Sequence, residues 1–194
     1  MTTAKTLFEL AGIAATQPDF QQSILILVDY QQEYCQGPLT LDGHQQAIAA
    51  AQTLLAQARQ QNCPVIHVAH AGNAGGPFDR QAERGQFVAD LTPQDGEKII
   101  EKRQVSAFVG TDLLDHLHSL QRSSIIIAGF MTHNCVSSTA RTARDLGWQV
   151  YVQANACATR DLPDPRGGII TAAELQRASL LALSDRNATI LYGP

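Results

Sequence analysis

Three side chains able to do covalent chemistry each lie just beyond an apolar run. Asp29 follows SILILV (Ser23 to Val28), Lys102 follows KIIE (Lys98 to Glu101), and Cys135 lies beyond SIIIA (Ser124 to Ala128) and the loop Gly129 to Asn134. A thiol, a carboxylate and an ammonium are the parts of nucleophilic hydrolysis. The thiolate attacks. The carboxylate takes the thiol proton and later activates water, and the ammonium steadies the charged states. Each residue alone has an ordinary explanation: a turn aspartate, a solvated lysine, a small buried cysteine. Their shared position past strand ends favours the chemical reading.

The elements that must position them alternate. Leu7 to Ala14 reads as a short helix, and Ser23 to Val28 as a strand buried on both faces. His44 to Gln61 reads as a helix with Ile48, Ala51, Leu54, Leu55 and Ala58 at helical spacing. Pro64 to Ala69 and Lys98 to Glu101 are strands. Thr111 to Leu120 is a helix with Leu113, Leu114 and Leu117 inward. Ser124 to Ala128 is a strand, Asn134 to Leu146 a helix stopped by Gly147, and Gln149 to Gln153 a strand. Thr171 to Ser184 and Thr189 to Tyr192 complete the series as helix and strand. This order predicts an α/β fold, a parallel sheet covered on both faces. Ligands of such sheets bind at the carboxyl ends of the strands, where Asp29, Lys102 and Cys135 would meet. A helix beginning at Asn134 would put Cys135 at its positive end, and with Lys102 nearby this favours the thiolate once Asp29 takes the proton. The unpaired N–H groups there would hold an oxyanion.

The 194 residues suit a single domain, 1–194, with residues 1–22 as an N-terminal extension. The net charge of −4, with scattered basic residues, predicts no nucleic-acid partner. No apolar run is long enough to span a bilayer, and the N-terminus lacks the apolar core of a signal peptide. A cytoplasmic location and no membrane partner are therefore expected. Cys35, Cys63, Cys135 and Cys157 are widely spaced, without CxxC or a Cys/His knuckle, so free thiols are expected and a zinc module is not. Gly72 to Gly76 does not fit a GxGxxG fingerprint and reads as a mobile loop.

Three segments carry a resemblance: VDYQQEY (Val28 to Tyr34), EKRQVSAF (Glu101 to Phe108) and GFMTHNCVSSTARTA (Gly129 to Ala143). In this order they resemble the isochorismatase-like cysteine hydrolases, from about Ser23 to the C-terminus. The tail VYVQANACATRD is similar too. The resemblance implies a three-layer, Rossmann-like α/β/α fold with a central parallel sheet. It implies an Asp29–Lys102–Cys135 triad, a cis peptide at Phe130-Met131, and an oxyanion hole from the Met131 and Cys135 N–H groups. It also implies a homodimer or homotetramer.

Members that cleave the vinyl ether of isochorismate typically lack the cysteine, so its presence favours a small amide-type substrate, cleaved through a thioester. Nicotinamidases usually carry Asp-x-His after the second strand. This chain reads Ala69-His70-Ala71-Gly72, and no metal and no organic cofactor are expected. Asn155 stands where the family tail often has Asp. Gln31, Tyr34 and Phe108 match family positions near the pocket, with local packing as the plainer explanation. His70, at a strand end, and His133, in the nucleophile loop, are further substrate-binding candidates. His67 and His70 fall on opposite strand faces and do not suit a shared metal. Arg103 is a candidate for steering a carboxylate, with an exposed charge as the plainer reading. The alternatives are a nicotinamidase, a hydrolase of ureido or carbamoyl compounds, and a non-catalytic binding protein on the same fold.

Overall fold

Six parallel strands form the central sheet of the structure, a computed structural model that describes residues 4–193. Residues 1–3 and 194, the ends of the expected 1–194 domain, lie outside the described residues. In chain order the elements are α1 (Leu7–Leu10), β1 (Ser23–Val28), α2 (Glu33–Gln36), α3 (His44–Gln60), β2 (Val65–His70), β3 (Lys98–Lys102), α4 (Leu113–Ser119) and β4 (Ser124–Phe130). There follow α5 (Ser137–Asp145), β5 (Gln149–Ala158), the hairpin pair β6 (Leu162–Pro163) and β7 (Ile169–Ile170), α6 (Ala172–Ser184) and β8 (Thr189–Leu191). The strand order is β3-β2-β1-β4-β5-β8, and every neighbour in it is parallel.

The apolar run of β1 is divided by its pleat. Ile24, Ile26 and Val28 face a core layer closed by α4, α5 and α6 through Leu113, Leu117, Ala140, Ala143, Leu180 and Leu183. Leu25 and Leu27 face the opposite layer, closed by α3 through Ala47, Ala51, Leu54, Leu55 and Ala58. The result is the expected three-layer α/β/α arrangement. Each such Leu or Ile, fully buried, contributes about 1.5–3 kcal/mol, so the central strands are the firmest part of the scaffold. Of the inward set expected on α4, Leu113 and Leu117 are buried while Leu114 is half-buried.

The chain runs from β1 outward to β3, then returns to lay β4 against the other side of β1. The order thus reverses between β1 and β4, and a crevice opens beyond their carboxyl ends. The two strands approach closely there. Val28 pairs with Gly129, and a Cβ on Gly129 would lie 2.1 Å from the Val28 carbonyl oxygen at a φ of +146°. Only glycine fits.

Several of the expected boundaries differ. The first helix ends at Leu10 rather than Ala14. α5 starts at Ser137 rather than Asn134 because a π-helical turn, Thr132–Val136, precedes it. β5 runs to Ala158 rather than Gln153, through a bulge opposite Ile127 and Gly129. Lys102 is the last residue of β3 rather than the first beyond it.

One polar cluster ties the long segment between β2 and β3 to the scaffold. Glu97 accepts two bonds from Arg59 on α3, at 2.8 and 2.9 Å. It also accepts from the Gln94 N–H at 2.9 Å and pairs with His67 Nε2 at 2.8 Å. Burial alone would raise the Glu97 pKa, but Arg59, the Gln94 N–H and His67 outweigh it and hold the carboxyl at about 2 instead of 4.5. Because the folded pKa is depressed, this contribution is complete above pH 4.5 and is lost as pH falls toward about 2. Glu97→Gln is expected to lose on the order of 2–3 kcal/mol at neutral pH and to lack that acid limb. Urea unfolding as a function of pH checks this; superimposable acid limbs for the two proteins would refute it.

Candidate active site

The three reactive side chains converge in the crevice. Asp29 leaves β1 in a left-handed conformation, φ +54°, which aspartate tolerates better than most residues. Its N–H donates to the Val68 carbonyl at 2.9 Å, so the turn is fixed by the neighbouring strand. Lys102 ends β3, two strands away, and its stem crosses the end of β2. Its Nζ lies 2.7 Å from Asp29 Oδ2, with both side chains fully buried. The same Nζ lies 3.3 Å from Cys135 Sγ and 3.4 Å from His70 Nδ1.

Lys102 thus sits among three acceptors. The Asp29 contact is an ion pair in which neither carboxylate oxygen is met by an aligned hydrogen-bond donor among the described residues. Its lone pairs stay open to a proton from the thiol or from a bound molecule. Burial raises the Asp29 pKa against the opposing pull of Lys102, which makes the carboxylate a stronger base than a solvated one.

The surroundings of Cys135 oppose the pull of a helix end and of Lys102 toward the thiolate. Burial, and then the negative charge of Asp29, push the Cys135 thiol up to about 12, against the opposing effect of Lys102. Burial dominates because Cys135 is 5% exposed and sits inside the π-helical turn rather than at an open helix end. These surroundings favour the neutral thiol, with the Asp29 carboxylate close by. Alkylation of Cys135 by iodoacetamide is therefore expected to rise about tenfold per pH unit through the neutral range. Mass spectrometry of the labelled peptide reads this out, and a plateau near pH 7 would mean a preformed thiolate.

The nucleophile turn is clamped from two sides. Thr132 Oγ1 donates to the Ala158 carbonyl at 3.1 Å, fastening the turn to β5. Thr139 Oγ1 accepts from the Ala107 N–H at 3.1 Å, fastening α5 to the segment after β3. Both belong to the Gly129 to Ala143 motif, and their work is positional. The Phe130-Met131 peptide is cis. The Met131 carbonyl accepts from the Asn134 and Val136 N–H groups at 3.0 and 3.2 Å.

The other expected site residues divide. His70 stands beside Lys102, and burial followed by the ammonium lowers its pKa, leaving it neutral. His133 is half-buried at the rim, its Nδ1 2.6 Å from Thr159 Oγ1. Tyr34 packs edge-on against Phe130 and tilted against Phe78, with centroids at 5.7 and 4.9 Å. Burial and the nearby Asp29 charge keep it an un-ionised phenol. Phe108 is half-buried against the core layer that contains Cys135. Gln31 departs from its expected role. It is fully buried, and its carboxamide bonds the N–H and carbonyl of His70 at 2.8 and 3.0 Å and the Gly85 carbonyl at 2.8 Å. With these contacts its polar atoms hold His70 in place instead of facing a substrate. Arg103 is exposed.

One residue was missed. Arg160 follows β5 by two positions, at the same rim as Asp29 and Cys135. Its Nε is buried without a hydrogen-bond partner, and no carboxylate lies within ion-pair distance among the described residues. Its charge is felt at both Tyr34 and His133. The strand-end rule that selected Asp29 would have reached it had β5 been drawn to its true end.

No group of three or more His, Cys, Asp or Glu side chains among the described residues is placed to hold a metal ion. No helix among them is long and apolar enough to cross a membrane.

Comparison with known proteins agrees with this geometry. The isochorismatase domain model matches residues 23–191. A crystal structure of an isochorismatase from Pseudomonas putida superposes with a TM-score of 0.94 at 38% identity, covering 98% of this chain and 97% of that one. The secreted isochorismatase effector of Verticillium dahliae is 31% identical over 94% of both chains. A maleamate amidohydrolase of Pseudomonas putida is 28% identical over 66% of this chain and 68% of its own length. By sequence and by fold, this chain belongs to the isochorismatase family of hydrolases.

Proposed function

We propose that this protein hydrolyses the C–N bond of a small amide that carries a carboxylate, using Cys135 as nucleophile and passing through a thioester. The observation that supports it most is the buried cluster in which Lys102 Nζ lies 2.7 Å from Asp29 and 3.3 Å from the Cys135 sulfur. Arg160, whose Nε has no partner and which faces no carboxylate among the described residues, supports the carboxylate, and the amidohydrolase among its relatives is in keeping with the amide.

The reaction runs in two halves. Asp29 takes the thiol proton as Cys135 Sγ bonds to the amide carbon, and the developing oxyanion is held by the Met131 and Cys135 N–H groups. The tetrahedral species collapses by breaking the C–N bond. Asp29 returns the proton to the departing nitrogen, and ammonia or an amine leaves. Water then enters and gives its proton to Asp29 as its oxygen bonds to the thioester carbon. The C–S bond breaks, the acid departs, and the sulfur regains a proton. Lys102 stays charged throughout and balances whichever of Asp29 and Cys135 is anionic. Arg160, with His133 and Tyr34 beside it, orients the substrate at the rim.

The test is amine or ammonia release from paired amides that differ only in a distal carboxylate, with intact-mass trapping of the acyl-enzyme and with chelator present. Turnover of the carboxylated member with an acyl adduct on Cys135 is expected. Adduct-free turnover would overturn the thioester, and equal turnover of both members would overturn the carboxylate.

A further inference from the structure

A second cavity, of about 600 Å³, lies at the opposite end of the sheet from the triad, where β5 and β8 begin. Its roof is the N-terminal segment that precedes the family-matched region. That segment is held down by the Phe8 N–H on the Asp185 carbonyl at 3.0 Å, the Leu7 N–H on Asp185 Oδ1 at 2.8 Å, and Thr16 Oγ1 against the Tyr151 hydroxyl at 2.8 Å. Phe8, Ile13, Val150, Leu181 and Ile190 give it apolar walls. The volume falls within the range of small-molecule sites.

Two charged side chains line it. Glu9 is occupied, accepting from the Thr6 N–H at 2.7 Å and the Thr6 hydroxyl at 3.1 Å to cap α1. Arg144 lies with its guanidinium carbon 5.3 Å from the centre of the Phe8 ring, and no carboxylate lies within ion-pair distance of it among the described residues. Its place in the last turn of α5 explains why a cation is tolerated there. It does not explain why the guanidinium is left without an acid over an aromatic wall. The two charges balance, but the Glu9 carboxylate is committed to the cap of α1, so the charged group with hydrogen-bonding capacity to spare is Arg144, whose donors suit a carboxylate.

We infer that this cavity binds a small amphipathic monocarboxylate, its acid group on Arg144 and its apolar body between Phe8, Ile13 and Ile190. The site is independent of the triad and of the hydrolysis proposed for it. α5 connects the two ends of the molecule, running from the nucleophile turn to Arg144.

Binding is followed by isothermal titration calorimetry with octanoate, below micelle-forming concentrations, and with 1-octanol. Saturable binding of octanoate is expected, weakened about tenfold or more in Arg144→Gln, as for loss of one charge-assisted contact. Ile13→Trp, which narrows the cavity and leaves the charge in place, is followed by calorimetry and is also expected to weaken it. Neither residue belongs to the catalytic cluster, and far-UV circular dichroism with thermal unfolding serves as the check that each variant is folded. Octanol binding as tightly as octanoate, or octanoate binding unchanged in Arg144→Gln, would overturn the inference. So would absence of saturable binding, or a dimer in sedimentation that Leu10→Glu dissociates, which would make this face a contact between copies.

Discussion

Cys135→Ala is expected to lower kcat on the order of 10⁴-fold or more, because it removes the atom that forms the covalent bond. The substitution deletes only a sulfur from a buried position, and the fold should lose no more than about 1 kcal/mol. Substrate affinity should persist, since Arg160, His133 and Tyr34 stay in place. Cys135→Ser separates nucleophilicity from shape. Its hydroxyl fills nearly the same space but is far harder to ionise beside an anionic Asp29. Steady-state release of amine, with calorimetric binding of the uncleaved amide, checks both variants. Residual turnover above about a hundredth of wild type would move the nucleophile elsewhere.

Asp29→Asn is expected to strike stability and catalysis together. Asp29 and Lys102 are fully buried and 2.7 Å apart, and removing one charge leaves the other without compensation in a low dielectric. Such a break costs roughly 3–5 kcal/mol. Catalysis falls as well, since an amide cannot accept the thiol proton. The double variant Asp29→Asn with Lys102→Met separates the two effects. With no charge left to strand, it should recover most of the stability, because a buried pair replaced by neutral groups is often close to neutral in cost. It should recover none of the turnover. Urea unfolding and amine release decide the matter. A single variant as stable as wild type would mean that Lys102 releases its proton in the folded protein when Asp29 is absent.

The two variants rest on different kinds of legibility. Asp29 and Cys135 could be read from the sequence because apolar runs of five or six residues announce buried strands, and parallel strands must end at a common rim. The helix periodicity of His44 to Gln60 was equally plain, since one packed face needs only local spacing. Gly129 was visible as part of a motif, but its cause was not: the Val28 carbonyl that excludes a Cβ comes from a strand a hundred residues earlier.

What the sequence by itself determined is the alternation of strands and helices, hence the layers, and the identity of the residues at three strand ends. Both follow from local patterning, which each segment carries within itself. Only the tertiary structure decided which way the Cys135 thiol is pushed, because burial and a facing carboxylate raise its pKa against the pull of Lys102. It also decided the inward role of Gln31, the full length of β5 with Arg160 beyond it, and the roofed cavity around Arg144. Each of these depends on what a distant segment places against a side chain, and the energy of a charge depends on that surrounding more than on its own neighbours in the chain.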